Sequence, residues 1–171
     1  TQDQESILSM EGIMTSIWGG PLYMIAEMVG VEIESTVENY DRWFSTSTVS
    51  YPLGEVAAGE CAAQQIQLQG IVDGKPKIII DHIHRLYPDA APEWQRPAMD
   101  YVHANRIEID GSPSVSQETV FEDPITKDGN AGTCLATGMR AINAIPALCE
   151  AKQAILSTKD LPLISGRGVI H

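Results

Sequence analysis

The chain has 171 residues, with 11 Lys and Arg against 23 Asp and Glu, a formal charge of −12 at pH 7. So acidic a surface repels phosphate backbones and anionic lipid, and nucleic acid and membranes are not expected as partners. Hydrophobic residues at 43% and charged residues at 20% suit a single globular domain over 1–171, and no apolar run nears the roughly 18 residues a bilayer crossing needs.

Residues 1–7 are polar and acidic where a secretory leader requires a basic start, so none is expected. The missing initiator Met and an immediate helical pattern point to a cleaved or truncated chain. Ile7, Met10, Met14, Ile17 and Trp18 fall at helical spacing, with Ser6 or Asp3 as cap. Gly19-Gly20-Pro21 interrupts the pattern; Leu22, Ile25 and Met28 resume it up to Gly30. Two short helices or one broken helix are expected, with a methionine-rich stripe turned to a core or an interface.

The period then changes to two. Val31, Ile33 and Val37 alternate with Glu32, Glu34, Thr36 and Glu38, which predicts a half-buried strand running on through Tyr40, Trp43 and Phe44. Residues 45–60, rich in Ser, Thr, Gly and Pro, read as a loop. Residues 61–72, the turn Asp73-Gly74 and residues 75–87 predict a hairpin. A proline-punctuated loop over 88–97 carries Trp94. A second hairpin is predicted from 101–109, turning at Asp110-Gly111, to 115–121, followed by a loop over 122–130.

Asn130 is the predicted N-cap of a last helix whose Leu135, Met139, Ile142 and Ile145 form one apolar face and which Pro146 should kink. Residues 157–171 read as irregular, with a Gly-Arg-Gly run near the end. Helix, mainly antiparallel strands, then helix predicts an α+β fold: an open mixed, mainly antiparallel sheet with helices on one face.

His82 and His84, two apart on a strand, point to one face together with Ile78, Ile80 and Leu86. Such a pair serves as hydrogen-bonded core or interface histidines, as a hold on substrate, or as two ligands of a metal. A metal needs a third ligand that Glu60, Asp89 or His103 would have to bring by folding, and no metal is expected. Asp81 and Arg85 share the other face, either as a surface ion pair or with Arg85 as a fork for an acidic substrate. Asn130-Ala131-Gly132-Thr133 opens the last helix, where free N–H groups favour an anion, against plain capping. The cysteines Cys61, Cys134 and Cys149 are odd in number and far apart, the pattern of reduced thiols in a cytosolic protein. No G-x-G-x-x-G, P-loop, G-x-S-x-G or H-E-x-x-H occurs.

The run from Asn130-Ala-Gly-Thr through Arg140-Ala-Ile-Asn143-Ala-Ile-Pro146 to Cys149, with Asp160-Leu-Pro-Leu-Ile-Ser-Gly166, resembles the C-terminal domain of dihydrodipicolinate-reductase-like proteins related to 2,4-diaminopentanoate dehydrogenase and NAD(P)-dependent amine dehydrogenases. Gly54-Glu-Val-Ala-Ala-Gly59, Gly70-Ile-Val-Asp-Gly-Lys-Pro76 and Arg85-Leu-Tyr-Pro-Asp-Ala-Ala-Pro-Glu-Trp94 extend the likeness over nearly the whole chain. The resemblance implies an α+β substrate-binding and oligomerisation domain of an oxidoreductase acting on a C–N centre. NAD or NADP would sit on an N-terminal Rossmann domain that this chain lacks, so the chain alone is expected to be inactive and to hold no cofactor. A small amino or imino substrate and a homodimer or homotetramer are the expected partners. True dihydrodipicolinate reductases carry adjacent histidines, a following lysine and D-A-P-S-G-T. Here Ile83 separates His82 from His84, no lysine follows, and Asp89-Ala-Ala-Pro92 differs, so dihydrodipicolinate is not the expected substrate. The residues singled out for substrate contact are His82, His84, Arg85, Asn130 and Thr133. The alternative is a stand-alone binding or dimerisation module without chemistry.

Overall fold

The computed structural model describes residues 5–98, 101 and 103–166, and it divides into two compact units, 1–95 and 96–171. The candidate cap Asp3 and the chain from 167 onward lie outside the described residues.

The first unit opens with a single 3₁₀ turn, Ile7–Ser9, capped by the Ser6 hydroxyl, which accepts from the Leu8 N–H at 3.2 Å. Helix α1 follows over Ile13–Val29, unbroken where Gly19-Gly20-Pro21 predicts an interruption. Gly20 has no Cβ to meet the proline ring, which removes the clash that keeps most residues before proline out of the helical region. Burial of Met14 and Leu22 outweighs the hydrogen bond that Pro21 cannot donate. The helix stops at Gly30, whose left-handed φ of 76° turns its N–H back toward the carbonyls of Ala26 and Glu27.

Strands β1 (Ser35–Phe44), β4 (Cys61–Val72) and β5 (Lys75–Arg85) form an antiparallel sheet with β4 in the centre. The β4–β5 turn takes positive φ at both Asp73 (52°) and Gly74 (69°), the mirror-image turn that an Asp-Gly pair adopts most readily. Glu34 secures it, its carboxylate accepting from the N–H groups of Asp73 at 3.0 Å and Gly74 at 3.2 Å.

Side chains alternate across this sheet. One face sends Tyr40, Ile66, Leu68, Ile78 and Ile80 against Met14 and Leu22 of α1, forming one core. The other face is polar: the Asp81 carboxylate accepts from the amides of Gln65 (2.9 Å) and Gln67 (3.4 Å), and Asn39 donates to Gln67. A second core gathers Val56, Ala62, Ala63, Ala90 and Ala91 with Trp43, Tyr87 and Trp94 packed on it. Two three-residue strands, β2 (Val49–Tyr51) and β3 (Gly54–Val56), pair inside the stretch expected to be a loop and place Val56 in that core.

In the second unit, β6 (Asn105–Ile109) and β7 (Val115–Thr119) form the second hairpin, linked across the strands by the Arg106–Glu118 ion pair. Helix α2 spans Gly129–Glu150 and passes through Pro146. Its N-cap is Asp128, two residues before the expected Asn130; the Asp128 carboxylate accepts from the Ala131 N–H at 2.6 Å. Arg140 on α2 donates to the Ile164 carbonyl at 3.2 Å and draws the following segment back along the helix.

Every strand pairing among the described residues is antiparallel. The strands form three separate sheets rather than one mixed sheet, because the two shorter hairpins close on their sequence neighbours. No helix among the described residues is long and apolar enough to cross a membrane.

Candidate functional site

The β4–β5 turn, followed by a one-residue register shift between Gly70 and Ile71, sets His82 opposite Ile66 and His84 opposite Gln64, on the sheet face that α1 covers. The helix stops short of covering both. Trp18 of α1 lies parallel to the His82 ring, centroids 5.8 Å apart with planes 4° from parallel, and His84 stacks on His82 at 4.2 Å and 2°. Three flat rings thus run outward from the core, and His84 at the end is exposed. Beside it the Gln64 amide oxygen accepts from the Tyr40 hydroxyl at 3.1 Å.

His82 is exposed, but its ring lies between Trp18 at 5.8 Å and His84 at 4.2 Å, which shield part of it from water. This burial is the main reason its pKa is lowered, the His84 imidazole lowers it further, and the neighbouring Asp81 carboxylate partly opposes both. The downward shift favours the neutral imidazole at His82, which offers a nitrogen lone pair and a ring face.

Arg85 leaves the same strand on the other side. Its guanidinium donates to the carbonyls of Ala90 (2.9 Å), Ala91 (3.4 Å), Trp94 (3.1 Å) and Gln95 (2.9 Å). The five-donor fork is here the framework of the 88–95 loop, holding Ala91 at a positive φ of 48°. Asp81, its expected partner on that face, takes hydrogen bonds from Gln65 and Gln67.

Asn130 and Thr133 both stand within the first five residues of α2, in the second unit. Asn130 is exposed, and the Thr133 carbonyl accepts from the Thr137 hydroxyl at 2.9 Å. The glycine between them has a packing reason: a Cβ on Gly132 would lie 2.5 Å from the Glu122 backbone. A Cβ on Gly129 would likewise collide with the His103 ring, which the helix start tucks beneath it. The structure thus brings His82 and His84 together, turns Arg85 to the loop, and sets Asn130 with Thr133 in the other unit.

Sequence reasoning missed Trp18 as the neighbour of His82 and His103 as the neighbour of α2. No local signal marks either contact, because the partners are 64 and 26 residues apart in the chain. Among the described residues no group of three or more His, Cys, Asp or Glu is placed to hold a metal.

The family model for the 2,4-diaminopentanoate dehydrogenase C-terminal domain matches residues 8–167. A protein of Streptomyces virginiae named amine dehydrogenase is 34% identical over 162 residues, which is 94% of this chain and 45% of that protein. A solved structure of amine dehydrogenase from Mycobacterium smegmatis is similar at a TM-score of 0.58 and 18% identity, covering 85% of this chain and 38% of that one. At that identity the likeness speaks for the fold. The chain spans less than half the length of either relative.

Proposed function

Because this chain belongs to the 2,4-diaminopentanoate dehydrogenase C-terminal domain family, we propose that it forms the substrate side of an amine dehydrogenase-like oxidoreductase that oxidises or reduces a C–N centre of a small amine or imine. The observation that carries this reading is the family match over residues 8–167, joined to the 34% identity with an amine dehydrogenase. The finer fold assignment proposed with it is the C-terminal domain of dihydrodipicolinate-reductase-like proteins.

The cofactor proposed for the whole enzyme is NAD or NADP. The described residues do not fit a dinucleotide themselves. All their strand pairings are antiparallel, and no glycine-rich turn joins a parallel strand to a helix, the arrangement that seats a pyrophosphate. No step through the cofactor is therefore assigned to this chain. Its own residues would bind and orient the substrate so that the reacting carbon is held in place. In this reading His82 and His84 present hydrogen-bonding nitrogens to the amine or imine; Asn130 and Thr133, in the second unit, are proposed separately as substrate contacts. Arg85 acts by shaping the 88–95 loop. The polar sheet face, rich in amides that both donate and accept, is the surface proposed to pair subunits in a homodimer or homotetramer.

The test is the polypeptide encoded through the region upstream of Thr1, assayed for amine-dependent reduction of NAD and NADP. Turnover by that protein and none by residues 1–171 alone is the expected result. His84→Ala should raise KM at least tenfold in it. A purified longer protein that turns over no amine with either nucleotide would overturn the reading and leave a stand-alone binding or dimerisation module.

A further inference from the structure

We propose that α2 pairs antiparallel with α2 of a second copy of this chain, along the charge-free face that Leu135, Ile142 and Ile145 present. Ala131, Leu135, Gly138, Ile142, Ile145 and Cys149 follow one another at alternating spacings of four and three residues. That repeat lines up one seam on a helix, and a second helix with the same repeat fills it. Leu135, Ile142 and Ile145 are half exposed along this seam, with Cys149 exposed at its end and Cys134 and Leu148 exposed beside it. Among the described residues, the chain's own contacts with α2 turn away from the seam. Gly129 and Gly132 approach His103 and the Glu122 backbone, and Arg140 donates to the Ile164 carbonyl. Asn143, Ala147 and Glu150 line a groove with Leu156 and Leu161. The segment that follows α2 thus lies against the polar flank and leaves the apolar one uncovered.

Charge and side-chain size favour a second copy as the occupant. α2 carries two charges, Arg140 and Glu150, and neither stands on the seam. Two chains of −12 repel over most of their surface, so they meet at least cost on a strip without charge, while a basic partner finds no carboxylate there. The seam also complements itself. One antiparallel register, centred on Arg140, pairs all six positions: Ala131 with Cys149, Leu135 with Ile145, and Gly138 with Ile142. A Cβ on Gly138 would meet nothing within 4 Å, and this register fills that space with Ile142. A parallel pairing would set Gly138 on Gly138 and leave it empty. The 22 residues of α2 make a strip about 33 Å long and roughly 10 Å wide, well under the roughly 800 Å² per partner of a standard interface. The dimer is therefore reversible and dissociates on dilution. Joined to pairing through the polar sheet face, it would supply the second twofold interface of a homotetramer. The tetramer rests on the sheet-face pairing proposed above; the α2 pairing does not.

The experiment combines sedimentation of the 171-residue protein over a range of concentrations with thiol cross-linking. The expected result is a dimer that grows with concentration. Ile142→Glu, at an exposed site, should weaken it at least tenfold with circular dichroism unchanged, and Thr137→Glu, the same charge on the polar side of α2, should leave it intact. In an Ala131→Cys/Cys134→Ser variant, mild oxidation should join the introduced thiol to Cys149 of the second copy, and adding Ile142→Glu should abolish that cross-link. Pairing through the polar sheet face would survive Ile142→Glu and give no such cross-link, so the two interfaces are read separately. Wild-type protein that stays monomeric at every concentration overturns the proposal. So does a dimer in which oxidation joins Cys149 to Cys149, the mark of parallel helices, or in which the cross-link to Cys149 persists with Ile142→Glu in place.

Discussion

The two units of this chain bury their hydrophobic residues very differently. In the first, Leu22 and Leu68 are fully enclosed between α1 and the sheet, and alanines at 62, 63, 90 and 91 fill a second core. In the second, the one buried residue of the 22-residue α2 is Gly132, while Leu135, Ile142, Ile145 and Leu148 stay about half exposed. The helix of the first unit is therefore held by what it packs on, and that of the second by its cap, its own hydrogen bonds and a close backbone approach at its start. Equal substitutions should have unequal effects in the two.

The largest difference should come from apolar truncation. Leu68→Ala leaves a cavity in an enclosed core and should cost about 2–5 kcal/mol, whereas Ile142→Ala on the half-exposed face of α2 should cost less than about 1 kcal/mol. Urea denaturation of both variants measures this, and equal losses would erase the contrast. Next come the glycines of α2. Gly132→Ala drives a Cβ into the Glu122 backbone and should cost roughly 1–3 kcal/mol. Gly138→Ala, with nothing within 4 Å of the new methyl, should stabilise the helix by roughly 0.5–1 kcal/mol. Thermal unfolding should shift in opposite directions for the two.

A smaller effect tests how the first unit caps α1. That helix begins at Gly12 without a side-chain cap of its own, and the Glu38 carboxylate accepts from the N–H groups of Gly12 at 3.1 Å and Thr15 at 2.7 Å instead. Partial burial of Glu38 pushes its pKa up, but the hydrogen bonds from Thr15, Met14 and Gly12 outweigh that and the net shift is downward. A carboxylate with a depressed folded pKa adds stability above its unfolded value near 4.5, and that stability is lost as pH falls through the folded value. Glu38→Gln should cost about 1 kcal/mol at pH 7 and flatten the pH dependence of stability below pH 4.5. An unaltered slope in the variant would assign the acid sensitivity to other groups.

Much of the architecture was legible because it is local. Asp73-Gly74 announces the β4–β5 hairpin and, through it, the shared face of His82 and His84. The resemblance around Asn130–Thr133 reached the family that the comparisons support. Near misses have local causes too. Asp128 and Asn130 are both good caps two residues apart, and only the fold chooses between them. Gly20-Pro21 reads as a break until the packing of Leu22 is known. β2 and β3, three residues each, are too short to show alternation. What stayed hidden is non-local: Trp18 reaches His82 from another element, and Arg85 finds its partners among backbone carbonyls, which leave no mark in the order of side chains.

Glu34 and Glu38 lie four residues apart in one segment, the first gripping the hairpin turn and the second the start of α1. A segment that clasps two elements at once behaves as a double latch. Lifting its leading edge would release the helix start and the strand crossing together, so the backbone amides of Thr15 and Gly74, far apart along the chain, should exchange with solvent through a single shared opening event.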